Sequence, residues 1–82
     1  MKREVELLDR AAKDMASIPV RDGDRILAAI TALASGQRGD VKKLKDFTPN
    51  YRLRVGDWRV LFEIENNKIV ICRVLNRREA YR

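Results

Sequence analysis

Eighty-two residues make one small domain with a single core. The chain is 45% hydrophobic and has no apolar run near the roughly 18 residues a membrane span needs. Charges at Lys2, Arg3, Glu4 and Glu6 break any leader-like pattern, so the expectation is a cytoplasmic protein with no membrane partner. A lone Cys72 excludes an internal disulfide and the lack of histidine excludes a Cys/His metal centre, so no metal or cofactor is expected.

The net charge of +6 is one-sided. Residues 1–40 carry seven Lys/Arg and seven Asp/Glu, whereas residues 41–82 carry eleven against five. A basic excess confined to one half is the electrostatic footprint of a polyanion partner, most often a nucleic acid.

In chain order, residues 3–7 (REVEL) alternate and suit an edge strand. From Leu8 the period lengthens: Leu8, Ala11, Ala12, Met15 and Ile18 recur at helical spacing, with Asp9 placed to cap the start. Pro19 ends that helix. A second helix is expected over about 21–35, with Ile26, Leu27, Ile30, Leu33 and Ala34 on one stripe. Asp22 and Asp24 suit the positive end of its dipole, and Gly36 stops it. Residues 36–50 read as a polar connection in which Lys42, Lys43 and Lys45 cluster, while Leu44 and Phe47 anchor it to the core.

Residues 51–64 (YRLRVGDWRVLFEI) sort by parity into two strands meeting at Gly56-Asp57. A two-residue turn pairs position 55 with 58, 54 with 59 and 53 with 60. The apolar sides then match, Val55 with Trp58, Leu53 with Val60, and Tyr51 with Phe62. The same register sets Arg54 across from Arg59, with Arg52 two residues along on that face. Like charges directly opposite on a sheet are destabilising, so three guanidinium groups kept there imply an anion between them. Trp58 reads as core.

Asn66-Asn67 supplies a turn, and residues 68–75 return as another strand. This register sets Ile69 and Ile71 on the apolar face and Val70, Cys72 and Val74 on the arginine face. Arg73 then falls on the apolar side, where it must snorkel to an edge unless the turn length differs by one. The expected fold is α+β: an antiparallel-rich sheet of about four strands, two N-terminal helices on one face, and the arginine face partly open.

Three sheet arginines, a lysine loop and a terminal Arg-Arg-x-x-Tyr describe an anion-binding surface with one titratable hydroxyl. Cleavage of RNA through its own 2′-OH needs a base, cations for the phosphorane and a donor to the leaving 5′ oxygen. With no histidine present, Tyr81 is the candidate base, because neighbouring guanidinium groups favour its phenolate. Arginine forks suit the phosphate oxygens. A packing role for Tyr81, and an arginine face neutralised by Glu63 and Asp57, are the plainer alternatives.

YRLRVGDWRVLFEI followed by VLNRREAYR resembles the signature of RelE-like toxins of the RelE/ParE superfamily. The upstream LLDRAAKDMASIP and the LKDF-x-x-x-YRLR join are similar too, so the resemblance covers nearly the whole chain. It implies the toxin of a type II toxin–antitoxin pair, an mRNA interferase that cuts mRNA in the ribosomal A site by metal-independent 2′-OH attack. It also implies a RelB-like antitoxin as partner, with operator DNA bound by the complex through the antitoxin.

Carried over residue by residue, the resemblance makes Arg54, Arg59, Arg77 and Tyr81 catalytic. Arg52 and Arg78 become RNA-binding, with Arg78 the alternative to Arg77 as the terminal arginine; Lys42, Lys43 and Lys45 join them as RNA-binding from their position beside the arginine face rather than from the resemblance. Two departures stand out. Many relatives carry Gly-His where this chain has Leu75-Asn76, and often lysine where it has Arg52 and Arg54, which hold their protons and hardly act as bases. The alternatives are a ParE-like inhibitor of DNA gyrase on the same fold, against which Tyr81 argues, and a non-catalytic relative that binds RNA or antitoxin.

Overall fold

The structure is a computed structural model in which residues 3–46 and 48–80 are described; Phe47 and Tyr81, singled out above, lie outside the described residues. The elements run β1 (Glu4–Leu7), α1 (Asp9–Ala16), α2 (Val20–Ala34), β2 (Asp40–Lys43), β3 (Tyr51–Val55), β4 (Trp58–Glu65) and β5 (Lys68–Asn76). The strands form one five-stranded sheet in the order β1-β5-β4-β3-β2. Among the described residues only β1, beside β5, pairs in parallel. The α+β class holds, with one strand more than expected. No helix among the described residues is long and apolar enough to cross a membrane.

The fifth strand is β2, inside the segment expected to be a loop. DVKK has neither apolar alternation nor a buried side chain, and all four residues are exposed. Such an edge strand is held by its ladder to β3, so local periodicity carries no trace of it.

One face of the sheet and both helices enclose the core. Leu53, Val60, Phe62, Ile69, Ile71 and Val74 meet Ala11, Ile18, Ile26, Ile30 and Ala34. Helix α1 begins differently from the expected cap: Leu8 holds the N-cap position in extended conformation, and Asp9 sits in the first turn, where its charge still suits the dipole. Leu8 is fixed instead by its own N–H, which donates to the Ile71 carbonyl at 3.0 Å. Helix α2 buries a narrower stripe than the pattern suggested, leaving Leu27 45% exposed. Gly36, at φ 89°, ends the helix in the left-handed region that glycine tolerates.

The β3–β4 hairpin has the expected register, including Arg54 opposite Arg59 and Tyr51 opposite Phe62, whose rings stack with centroids 5.4 Å apart. Strand β5 departs from the simple alternation. Leu61 pairs with Arg73 but Phe62 pairs with Ile71, so one extra residue, Cys72, bulges from the ladder. The bulge resets parity. It turns Val74 into the core opposite Val60, correcting the expectation that Val74 shares the arginine face, and it moves Arg73 out of the apolar side.

Arg73 then meets α1. Its Nε and Nη2 donate to the Asp14 carboxylate at 2.8 and 3.1 Å, and the Val74 N–H donates to the same group at 2.9 Å. Strand β1 pairs β5 only as far as Ile71, and Asp14 satisfies a backbone donor just beyond that point. Burial raises the Asp14 pKa, but the bonds from Arg73 and Val74 outweigh it and hold the carboxyl below its ordinary value. A depressed folded pKa contributes stability that is complete above the unfolded carboxylate value, about 3.9, and is lost as pH falls through the folded value. Wild type should therefore exceed Asp14→Asn by a constant margin above about pH 4 and lose that margin in stronger acid. Parallel denaturant titrations of the two proteins across this range check the sign.

Candidate functional site

Directly paired residues on neighbouring strands share a sheet face, so the ladder decides which cations meet. Arg54 and Arg59 face each other across the hairpin, and Arg52 lies on the same side opposite Leu61. The lysines divide. Lys42 pairs with Arg52 and joins the arginine face, but Lys43 pairs with Tyr51 and projects to the other side. Lys45 lies exposed in the turn beyond β2. The expected three-lysine cluster thus places one member, Lys42, beside the arginines.

The carboxylate facing the arginines comes from the strand that the sequence concealed. Asp40 pairs with Arg54 in the ladder, and its oxygens stand 3.7 Å from Arg52 Nη1 and 3.9 Å from Arg54 Nε. Neither expected neutraliser serves: Glu63 accepts the Asn50 N–H at 2.8 Å, and Asp57 faces Arg77 at 3.9 Å. At these separations Asp40 balances charge without making fork hydrogen bonds. Both Asp40 and Arg54 are more than half exposed, where such pairs contribute about 0–1 kcal/mol. An incoming oxyanion can displace so weak a contact. Arg52 is less exposed than Arg54, its side chain 12% exposed, and its Nε has no hydrogen-bond partner among the described residues.

Arg59 is held differently. Its Nη1 donates to the carbonyls of Gly56 and Trp58 at 2.9 and 3.0 Å. Two bonds from one nitrogen orient the guanidinium plane, and the donors on its other nitrogens remain available. Gly56 makes the tight turn at φ 59°, a conformation that L side chains rarely adopt. The Trp58 indole N–H donates to Asp22 at 3.2 Å, tying the hairpin to the first turn of α2.

The C-terminal arginines arrive beside that turn. The Arg77 N–H donates to the Asp57 carbonyl at 2.8 Å, and Asp57, Asn76, Arg77, Arg78 and Glu79 line a depression of about 330 Å³. Asn76 acts on the backbone. Its side-chain oxygen accepts the Arg78 N–H at 3.2 Å, and its carbonyl accepts the Glu79 N–H at 2.9 Å. Ala80, 3% exposed, is buried immediately before Tyr81. The arginine face is less open than expected. Leu61 and Val70 are buried on it, and Thr48 and Pro49 line one depression with Cys72 and Arg73, so the loop after β2 reaches over its β5 side. The accessible part is the hairpin end. Among the described residues no three metal-ligating side chains are grouped to hold an ion.

The fold, a two-helix layer on one face of a five-stranded sheet, matches known proteins. A family model described as the ParE toxin of the type II toxin–antitoxin system parDE fits residues 5–81, and the chain belongs to this RelE/ParE superfamily of toxins. RelE1 of Methanocaldococcus jannaschii is 32% identical over 98% of this chain and 94% of its own length. The toxin RelE3 of the same organism is 40% identical over 42 residues, and there the chain spans about half the relative's length, 48%. Among solved structures, the RelB-RelE antitoxin–toxin complex from Methanococcus jannaschii superposes with a TM-score of 0.77 at 29% identity. That match covers 93% of this chain and 94% of the other.

Proposed function

We propose that this toxin is an endoribonuclease that cuts mRNA, at the ribosomal A site, by attack of a ribose 2′-OH on its own phosphodiester. The observation that carries the reading is the ladder pairing of Arg54 with Arg59 at the accessible end of the sheet, with Arg77 delivered to the same turn. The substrate supplies the nucleophile, so the protein must supply a base, a donor and positive charge. Arg54 and Arg59 hold the phosphate and the charge that grows on it in the phosphorane. Arg77 hydrogen-bonds the leaving 5′ oxygen and stabilises its charge, while solvent supplies the proton that the guanidinium keeps. The Tyr81 phenolate takes the 2′-OH proton. Arg52, Lys42 and Arg78 bind the flanking backbone, while Lys43, on the other side of the sheet, and Lys45, exposed in the turn beyond β2, contribute long-range attraction. A RelB-like antitoxin is the expected partner, by similarity to the RelB-RelE complex, and binds operator DNA on behalf of the pair.

The test is end-mapping of an mRNA in a translating extract, with wild type and Tyr81→Phe side by side. Wild type should cut within the translated frame. Tyr81→Phe should cut at least about a hundredfold more slowly while still binding antitoxin, since general bases typically contribute ~10²–10⁴-fold. One observation favours a second reading, inhibition of DNA gyrase: the matching family model is that of ParE toxins. Intact mRNA together with stalled replication and a DNA-damage response would establish that reading instead.

A further inference from the structure

The hairpin turn is approached by a third arginine that neither the sheet pattern nor the tail motif includes. An ideal Cβ built on Gly56 would lie 3.5 Å from Nη2 and 3.8 Å from Nη1 of Arg25. Arg25 comes from α2, the helix to which Trp58 ties the hairpin through Asp22. Three guanidinium groups from three parts of the chain therefore approach two residues: Arg25 beside Gly56, Arg59 on the Gly56 carbonyl, and Arg77 with its Nε 3.9 Å from the Asp57 carboxylate. The nearby acids do not match them. Asp22 is engaged by the Trp58 indole, and Asp57 faces Arg77 at a loose 3.9 Å. Arg25 is exposed and, among the described residues, has no hydrogen-bond or ion-pair partner. A Cβ at position 56 would rest in ordinary contact with this guanidinium, which places Arg25 directly against the turn, while the positive φ of 59° accounts for the glycine.

We propose that the hairpin tip is a second phosphate-binding site, with Arg25 as its unassigned member, which holds the RNA backbone beyond the nucleotide being cut. The inference rests on the RNA-directed reading and extends it from a point of cleavage to a path. Phosphates held on the sheet by Arg54 and Arg59 continue around the turn to Arg25, at the start of the helical layer. Single-stranded RNA fits better than an acidic protein because the tip is continuous with Arg59, whose guanidinium lies both on the sheet face and on the turn carbonyls. Arg25 acts in binding; it does not touch the reacting atoms.

The experiment compares wild type and Arg25→Gln, an exposed helix position that tolerates the change, by fluorescence anisotropy. The probes are 2′-O-methyl RNA oligomers, which lack the attacking hydroxyl and stay intact; a trimer fills the sheet site alone and a nonamer reaches the tip. Arg25→Gln should weaken the nonamer roughly threefold to tenfold, lower its log–log salt slope by about 0.7, and leave the trimer unchanged. Equal nonamer affinity and slope in both proteins overturn the tip site while leaving the cleavage reading intact. Wild type that binds the nonamer with the Arg25 dependence but cuts no mRNA removes the cleavage reading and keeps the tip site. A loss confined to binding of a purified antitoxin assigns the tip to protein recognition and overturns the proposal.

Discussion

If the toxin cuts mRNA as proposed, Arg59→Ala should lower the rate by about a hundredfold to a thousandfold, the loss that follows removal of one preorganised donor to a developing oxyanion. The size of the effect comes from how the group is held. Nη1 is spent on the Gly56 and Trp58 carbonyls, so the guanidinium is already aimed when the phosphate arrives and little reorganisation remains. Arg54, 56% exposed and loosely paired with Asp40, has no such restraint, and its alanine variant should lose less. Arg59→Lys retains the charge but not the planar fork, so its rate should stay nearer that of alanine than of wild type. Cleavage is read by the same end-mapping. Circular dichroism separates a chemical loss from unfolding, since Arg59 also braces the turn. A folded Arg59→Ala protein that cuts at the wild-type rate would falsify the assignment.

The second large effect concerns the fold. Phe62→Ala should destabilise the protein by ~3–5 kcal/mol, the usual range for a buried phenylalanine reduced to alanine. Phe62 is 1% exposed, lies on β4 between β3 and β5, and stacks on Tyr51. Globular domains are stable by only ~0.05–0.15 kcal/mol per residue, so a change of this size takes a large share of the roughly 4–12 kcal/mol expected for 82 residues. The expected signature is a urea midpoint well below the wild-type value with an unchanged slope. A wild-type midpoint would show that the sheet–helix core does not depend on this ring. The two substitutions differ in kind: Arg59→Ala spares the core and removes chemistry, whereas Phe62→Ala removes the platform beneath the arginines.

The two branches of the superfamily give these variants separate meanings. For an RNA-cutting toxin, Arg59→Ala and Tyr81→Phe remove toxicity together with cleavage. For a gyrase inhibitor, Tyr81→Phe leaves toxicity in place. The antitoxin-bound state is a useful control in both cases, because a variant that still binds its antitoxin has kept its surface.

Much of this architecture is legible one residue at a time, because the forces responsible act over short sequence distances. Alternation at period two, a glycine at the turn and matched apolar partners fix the β3–β4 register, which in turn places Arg54 across from Arg59. Helical spacing and Pro19 likewise define α1 and α2, and the lone cysteine and absent histidine restrict the chemistry before any fold is known. What remained hidden depends on partners distant in sequence. Strand β2 exists because β3 offers it an edge, and with it comes Asp40, the carboxylate that faces Arg52 and Arg54. The bulge at Cys72 inverts the facing of Arg73 and Val74 where Asp14, from α1, binds both residues. Arg25 is one of several exposed helix charges in the sequence, and only the docking of α2 against the hairpin, through Trp58 and Asp22, brings it to the turn. Periodicity records which face of an element is apolar. Which neighbour that element meets, and which charge lands beside which, is set by packing between segments that the linear pattern keeps apart.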